Sequence, residues 1–463
     1  MAPKFGTSGL RGLVVELTPD LIHAHVGAFL RACPVGTGLF VGRDLRDSSP
    51  RIVGDVIKAA RASGVDVTDC GAVPTPALAL AAMGAGAGAV MVTGSHIPAD
   101  RNGLKFYTPH GEITKAHEAA ILAALTEPDK SAVPGALRQH DADPAFAARY
   151  VTAFGNTALT RRHIGVWSHS AVGRDLLIET LRALGAEVTE IARSDVFIPV
   201  DTESVSAEAR AFLKDAAQSR KLDAIVSTDG DGDRPLVTDA EGTVIAGDVL
   251  GQITAQLLGA SIVVTPVSSN TGVEASGAFK QVIRTRIGSP YVIADMEAAD
   301  KADHVVGYEA NGGFLLGFDA QGPAGTLPAL MTRDCHLPII AALFAAGEAG
   351  LAKRVVSEPP RFTAADRLQE IPTEVSASLV ERLRDKAAAR SDFLAALGHG
   401  GSVSTDTTDG LRLTLDTGRI AHLRPSGNAP ELRFYAEAET PKDAENMLHA
   451  GLKLLRDITE NQR

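Results

Sequence analysis

Short apolar runs alternate with helix-spaced segments through the first two-thirds of the chain, and the pattern restarts twice. Residues 38–43 read as a strand. Residues 50–63 read as a helix, with Val53, Val56, Ile57 and Ala60 at helical spacing and Gly64 as the stop. Residues 65–70 and 88–93 are further strands. The pattern begins again near His163, with strand 164–167, a helix over 173–184 stopped by Gly185, and strands 187–191 and 223–228. It begins a third time at Ser261, with strands 261–266, 282–286 and 304–308. A strand followed by a helix can pair with the next strand in parallel, so three such units predict three α/β domains built on parallel or mixed sheets. No close repeat of sequence accompanies the repeat of pattern. The tail breaks the alternation. Strands 402–405, 411–415, 419–424 and 431–438 are separated by turn residues and followed by a helix over 442–458, an α+β module. The expected domains are 1–150, 151–255, 256–368 and 369–463, with the Pro/Glu/Thr-rich stretch 357–373 as a linker.

Charge and cysteine usage narrow the function. The chain has 463 residues, with 45 basic against 56 acidic and a net charge of −11. Such a field opposes nucleic acid and anionic membrane surfaces, though a few arginines can still make a local phosphate site. Cys33, Cys70 and Cys335 are odd in number, scattered, and without a CxxC, so neither a disulfide framework nor a zinc site is expected, and a cytoplasmic location fits. The start of the chain has no apolar core of a signal peptide. The best membrane candidate, residues 77–92, is rich in Ala and Gly and runs into Thr93 and Ser95. It reads as a buried helix, a turn and a strand.

The densest chemistry is Thr228-Asp229-Gly230-Asp231-Gly232-Asp233-Arg234, which leaves an apolar strand. In α/β sheets ligands gather at the C-terminal ends of strands. Alternate aspartates share a side of an extended loop, and the glycines permit tight turns. Three carboxylates so close repel one another unless a cation joins them, and all-oxygen ligands suit Mg²⁺ or Ca²⁺ better than zinc. An EF-hand would need Gly and Glu at loop positions where Arg234 and Ala240 stand. A polar turn of solvated aspartates is the alternative.

Three further loops carry candidate residues. Thr93-Gly94-Ser95-His96-Ile97-Pro98 also leaves an apolar strand, with Lys105 downstream, so Ser95 is a candidate nucleophile or phosphate carrier, or else an ordinary Ser-His turn. The hydrolase elbow is not matched, because Ile97 replaces its second glycine. Arg424-Pro425-Ser426-Gly427-Asn428-Ala429-Pro430-Glu431-Leu432-Arg433 turns between two strands and offers backbone N–H groups and two arginines to a phosphate, or is a turn with surface arginines. In Gly307-Tyr308-Glu309-Ala310-Asn311-Gly312-Gly313, Glu309 and Asn311 share a side if extended, and a carboxylate with an amide can hold two vicinal sugar hydroxyls; a solvated strand end is the alternative. Gly84, Gly86 and Ala89 match a dinucleotide fingerprint only loosely, and they precede a strand where that motif follows one.

Together these four loops, in this order, resemble the α-D-phosphohexomutase superfamily, in particular its bacterial phosphomannomutase/phosphoglucomutase branch. The resemblance runs from Phe5-Gly6-Thr7-Ser8-Gly9-Leu10-Arg11-Gly12 to Arg433. It implies four domains around a central cleft, three α/β mixed-sheet domains and a C-terminal α+β domain. It also implies an intramolecular phosphotransferase that interconverts hexose 1-phosphate and hexose 6-phosphate, with mannose, or mannose and glucose, as the hexose. Ser95 would be the phosphoserine. One Mg²⁺ would be held by Asp229, Asp231, Asp233 and a phosphoserine oxygen, and a hexose 1,6-bisphosphate would be the intermediate and activator.

By the same resemblance Arg11, His96, Lys105 and Arg234 would surround the reacting phosphate, with Lys105 expected to move a proton because crowding by cations lowers a lysine's pKa. Glu309 and Asn311 would bind the sugar. Arg286, where relatives often carry lysine, would join Arg424, Ser426, Gly427, Asn428 and Arg433 in binding substrate. Two departures stand out: Ile97 where many relatives have asparagine, and Asn311 and Gly313 where many have serine and histidine. The partners implied are small sugar phosphates, with the protein a monomer or homodimer. A phosphoglucosamine mutase, a sugar-phosphate phosphatase or a bisphosphate synthase are the alternatives.

Overall fold

The computed structural model of the chain describes residues 3–6, 9–125, 133–300, 302–426 and 430–460. These fall into two compact units. The first comprises Met1–Val264 and Gly288–Ser357, the second Thr265–Ile287 and Glu358–Arg463.

The first unit holds three larger sheets and a two-stranded one, Ala320–Gln321 with Thr326–Leu327. In the first sheet the strands run in the order Lys4–Gly6, Gly9–Leu13, Arg101–Thr108, Gly88–Val92, Leu39–Arg43, Val67–Ala72 and Leu137–Gln139, with Gly111–Glu112 pairing back on Arg101–Thr108. The last four are parallel, as the strand–helix alternation predicts. Strand Gly88–Val92 is buried at every position, which explains its unbroken apolar run. Helix Pro19–Ala32 starts at Thr18, whose hydroxyl accepts from Leu21 N–H, and has Pro19 in its first turn. It buries Ile22, Val26 and Phe29 beside Ile52, Val53 and Val56 of helix Ser49–Ala62 in one core. The suspected membrane run is helix Thr75–Gly84, a turn and strand Gly88–Val92. Among the described residues no helix is long and apolar enough to cross a membrane.

The second sheet places Glu187–Arg193, His163–His169 and Ala224–Thr228 in parallel, then turns back antiparallel through Pro235–Thr238 and Val244–Ile245. The aspartate loop is therefore the tip of a hairpin in which Thr228 pairs with Pro235. In the third sheet Ile262–Pro266 runs parallel to Val305–Tyr308, which pairs antiparallel with Phe314–Leu316, itself antiparallel to Leu330–Asp334. Residues 309–313 form the tip of this second hairpin, with Tyr308 opposite Phe314.

The second unit carries an antiparallel sheet in the order Phe362–Gln369, Glu431–Ala438, Ile420–Pro425, Leu411–Leu415, Ser402–Asp406, with helices Thr373–Asp385, Ala387–Ala396 and Pro441–Glu460. Strand Leu411–Leu415 alternates buried and half-buried residues, and its leucines join Leu379, Leu383, Phe434 and Leu455 in a second core.

The structure corrects one expectation here. Residues 357–373 are not a linker, because Phe362–Gln369 pairs along its whole length with Glu431–Ala438. The divisions at 150, 255 and 368 each cut an element: helix Asp143–Phe154, helix Gly247–Leu257 and strand Phe362–Gln369.

Candidate active site

Ser95 ends the exit from strand Gly88–Val92 with φ at +52°, left-handed backbone that a serine adopts only where its surroundings impose it. Those surroundings are a buried pair, Asp44 and Arg46. Asp44 accepts from Thr93 Oγ1 at 2.8 Å, Ser49 Oγ at 2.5 Å and Gly94 N–H at 3.3 Å. Arg46 donates to the carbonyls of Ser95 (2.9 Å), Ile97 (2.6 Å), Pro98 (2.7 Å) and Arg101 (3.1 Å), and its Nε meets Asp44 at 3.1 Å. Its guanidinium lies 3.9 Å from the Phe197 ring centroid. Gly94 is glycine because a Cβ would stand 2.6 Å from this guanidinium. One arginine thus fixes four carbonyls of the serine loop and holds the strained residue in place.

The loop presents Ser95 Oγ to the aspartate hairpin. Ser95 Oγ donates to Asp229 Oδ2 at 2.6 Å and lies 3.3 Å from His96 Nδ1. Asp229 Oδ1 accepts the N–H groups of Asp233 and Arg234, each at 3.2 Å. Asp231 accepts from Thr75 Oγ1 at 2.8 Å, and Lys105 Nζ lies 2.5 Å from both Asp231 and Asp233. All three aspartates are inaccessible to solvent.

Their charges are unequally held. Burial, and then the neighbouring Asp231 and Asp233, push the Asp229 carboxyl well above the usual range. Burial acts on Asp231 too, but the charge and hydrogen bond of Lys105 outweigh it and hold that carboxyl below the usual range. One oxygen from each aspartate fits within 4.8 Å of the others. Asp231 Oδ1 and Asp233 Oδ1 are buried with no hydrogen-bond partner among the described residues. Unspent, hard oxygens converging in this way suit Mg²⁺.

The cations follow. Arg234 Nη1 lies 3.0 Å from His96 Nδ1, so that nitrogen is the acceptor. Burial and the Arg234 charge lower the His96 pKa to about 3, leaving the ring neutral near pH 7. Arg11 is brought beside the same group. Burial and the nearby Arg234 lower its pKa to about 10. The expectation that Lys105 is crowded by cations is corrected, because its contacts are the two carboxylates. Glu309 and Asn311 are buried at the tip of the second hairpin, and Asn311 Oδ1 accepts Gly313 N–H at 3.0 Å.

The first unit therefore brings together Ser95, His96, Lys105, Arg11, Arg234 and the three aspartates, with Glu309 joined to them through Arg333. The guanidinium of Arg333 lies 2.8 Å from Asp233, 3.4 Å from Glu112 and 3.5 Å from Glu309. Arg286, Arg424, Ser426 and Arg433 belong to the second unit. There Arg424 Nε pairs with Asp409 at 2.9 Å, Arg286 Nε donates to Thr408 O at 3.1 Å, and Arg433 leans on Glu431 at 3.4 Å. Gly427 and Asn428 lie outside the described residues. The sequence reading missed Asp44, Arg46, Thr75, Glu112 and Arg333. An Asp-x-Arg directly after strand Leu39–Arg43 was a signal available for the first two. Arg333 sits in strand Leu330–Asp334 with no motif around it.

A serine hydroxyl on one of three clustered carboxylates, ringed by arginine and lysine, is the equipment of an enzyme that handles phosphoryl groups. Comparison with known proteins specifies the class. The family models described as phosphoglucomutase/phosphomannomutase match here as alpha/beta/alpha domain I over residues 2–132, alpha/beta/alpha domain III over 238–350 and the C-terminal domain over 371–452. The chain is 46% identical to a phosphomannomutase of Sinorhizobium fredii, covering 98% of this chain and 99% of that one. It is 42% identical to a phosphomannomutase of Salmonella muenchen, covering 98% and 95%. The crystal structure of a phosphoglucomutase/phosphomannomutase family protein from Burkholderia thailandensis superposes with a TM-score of 0.76 at 21% identity, over 97% of this chain and 96% of that one, a likeness of fold. The chain belongs to the phosphoglucomutase/phosphomannomutase family of the α-D-phosphohexomutase superfamily. It is an intramolecular phosphotransferase that interconverts hexose 1- and 6-phosphates.

Proposed function

We propose that the hexose is mannose and that Ser95 carries the transferred phosphoryl group. The observation that carries this reading is the 2.6 Å bond from Ser95 Oγ to Asp229, which joins loops 134 residues apart, in a chain so similar to two phosphomannomutases.

In the first half-reaction the bond between phosphorus and Ser95 Oγ breaks as a free sugar hydroxyl bonds to phosphorus, and the proton that the hydroxyl loses ends on the departing Ser95 Oγ, restoring the serine hydroxyl. In the second, the other phosphate of the bisphosphate returns to Ser95 by the reverse exchange. Such transfer depends on positioning and on offsetting charge. Lys105, Arg11 and Arg234 supply positive charge to the phosphoryl oxygens. His96, being neutral, fixes Arg234 in place. The proton-moving role expected of Lys105 is not supported by its neighbours, and we assign it a charge-offsetting role. Asp229, Asp231 and Asp233, with a phosphoserine oxygen, would hold Mg²⁺, which adds charge neutralisation at the phosphoryl group. Glu309 accepts from ring hydroxyls and Asn311 donates to them. Arg424, Ser426 and Arg433, with Arg286, bind the phosphate that is not reacting, whichever end of the sugar carries it.

The test measures turnover of mannose, glucose and glucosamine 1-phosphates in a coupled assay, with free phosphate recorded in parallel and the mass of the intact protein taken before and after substrate. Mannose 1-phosphate is expected to turn over fastest, without phosphate release, and one phosphate is expected on Ser95. Faster turnover of glucosamine 1-phosphate would replace the substrate assignment. Phosphate released in proportion to substrate would make the protein a phosphatase. A chain that never carries phosphate yet works at full rate would refute the role of Ser95.

A further inference from the structure

We infer that Arg333 is the residue that positions Glu309 for the sugar, and that position 313 is glycine to make room for it. The inference rests on the reading of Glu309 as a sugar-binding residue. Arg333 is 3% exposed and uses one nitrogen on each of three carboxylates: Nη2 on Asp233 at 2.8 Å, Nε on Glu112 at 3.4 Å and Nη1 on Glu309 at 3.5 Å. These acids come from three different elements: the aspartate hairpin, strand Gly111–Glu112 and the tip after Val305–Tyr308. Glu112 is itself pinned, accepting from Ser289 Oγ at 2.8 Å and Thr332 Oγ1 at 3.3 Å. Nη1 meets Glu309 with hydrogen-bond geometry, whereas Nε and Nη2 stand at ion-pair distance from Glu112 and Asp233 without it, so the guanidinium serves Glu309 directionally and the other two acids by charge. Buried charge of this kind persists only when it is compensated, and Asp233, Glu112 and Glu309 stand close enough to compensate Arg333.

The second observation is steric and independent of charge. A Cβ at Gly313 would stand 2.9 Å from Arg333 Cδ, 3.0 Å from its Cγ and 3.2 Å from Asn311 Oδ1. The aliphatic stem of Arg333 thus occupies the space that any side chain at 313 would need. Residues 309 and 313 are the two ends of the hairpin tip, and Glu309 N–H bonds to Gly313 O at 3.2 Å. Arg333 therefore braces the tip twice, by its stem at Gly313 and by its head at Glu309. With one side of the Glu309 carboxylate taken by Nη1, the remaining lone pairs are directed to ring hydroxyls. Arg333 acts through Glu309 and is a positioning residue.

The test is a double-mutant cycle between Arg333→Met and Glu309→Gln, read as kcat and KM for mannose 1-phosphate and as the Mg²⁺ concentration giving half-maximal rate. A contact made equally in ground and transition states shows in KM. Arg333→Met is expected to raise KM about ten- to a hundredfold, with a smaller change in kcat. The double variant is expected to raise the sugar KM no further than Glu309→Gln alone, because Arg333 then has no Glu309 carboxylate to position, while the loss of its contacts with Asp233 and Glu112 is read separately in the Mg²⁺ requirement. Arg333→Lys, which keeps the charge but loses the fork, falls between.

Two steric variants keep the test open should Arg333→Met fold poorly. Gly313→Ala is expected to raise KM in the wild-type background and to have no further effect on Arg333→Ala, where the added methyl enters vacated space. Additive penalties in either cycle, or a shift in the Mg²⁺ requirement with sugar KM unchanged, overturn the inference. Wild-type protein that turns over no hexose phosphate would instead refute the functional reading beneath it.

Discussion

In the first unit the chemically active charges are withdrawn from solvent and spent on one another: Asp229, Asp231 and Asp233 are inaccessible, and Lys105 and Arg333 are 5% and 3% exposed while touching two and three carboxylates. In the second unit Arg424 and Arg433 remain 20% and 36% exposed, and each rests on a single carboxylate, Asp409 or Glu431. The contrast fits the tasks proposed for the two units. Where a bond is made and broken, groups must already stand in place, because reorganising them costs free energy at the transition state. Where a phosphate arrives, leaves and returns by its other end, an arginine held by one exchangeable partner releases it more readily.

Substitutions within the aspartate hairpin test how far the first unit is pre-set, and carry the largest expected effects. Asp229 is partnered by a hydroxyl and two backbone N–H groups, all of which an amide can satisfy; Asp231 is partnered by an ammonium. Both Asp229→Asn and Asp231→Asn are expected to lower turnover by about a thousandfold or more, the scale at which loss of a pre-set charge is felt in catalysis. They should part in stability. Asp229→Asn should leave thermal unfolding nearly unchanged, whereas Asp231→Asn breaks a buried ion pair and should cost about 3 kcal/mol. Equal stabilities would mean that Lys105 does not depend on Asp231, and the picture of mutually spent charge would fail.

The second unit offers a milder effect. Arg424→Ala removes a charge-assisted hydrogen bond to phosphate, about 1.5–3 kcal/mol or roughly ten- to a hundredfold in affinity. Since one anchor is proposed for both phosphates, KM should rise for mannose 1-phosphate and mannose 6-phosphate together. Folding should be little affected, because Arg424 is partly exposed and paired with one acid. Steady-state kinetics in both directions decide it. A rise for one substrate alone would separate the anchors for the two ends.

The same contrast marks what could be read from the chain beforehand. Strands Gly88–Val92, Ala224–Thr228 and Leu411–Leu415 were legible because burial on both faces, or on one, leaves a continuous or alternating apolar pattern. Ser95 and the aspartates were legible because their loops concentrate chemistry within a few residues. Strand Phe362–Gln369 was not, because Leu368 is its sole buried residue and FTAADRLQ shows no alternation. Its strand state comes from pairing with Glu431–Ala438, a long-range fact. The neighbours of Lys105 were misjudged for a similar reason. Its nearest charges lie 126 and 128 residues away. Arg333 acts through partners distant in sequence, and no local pattern reports it.

The smallest expected effect concerns a buried group that, unlike the site's charges, has no compensating partner. His336, in helix His336–Ala345, is inaccessible, packs 5.0 Å from Phe146 and 5.8 Å from Tyr150 by ring centroids, and has no hydrogen-bond partner for either ring nitrogen among the described residues. Burial alone lowers its pKa to about 3. The unfolded chain binds a proton near the ordinary value of about 6.5, whereas the folded chain does not until far lower. Stability from this group is therefore complete above about pH 6.5 and is lost as pH falls toward 3. Between pH 7 and pH 5.5 the loss should be about 1 kcal/mol, since one pKa unit is worth about 1.4 kcal/mol. His336→Phe keeps an aromatic ring against Phe146 and Tyr150 but cannot titrate, so its unfolding midpoint should fall less over that interval. Parallel thermal melts of wild type and variant at the two pH values measure the difference. Identical shifts would mean that the acid sensitivity of the first unit lies in its paired charges, and that uncompensated burial is not what sets it apart.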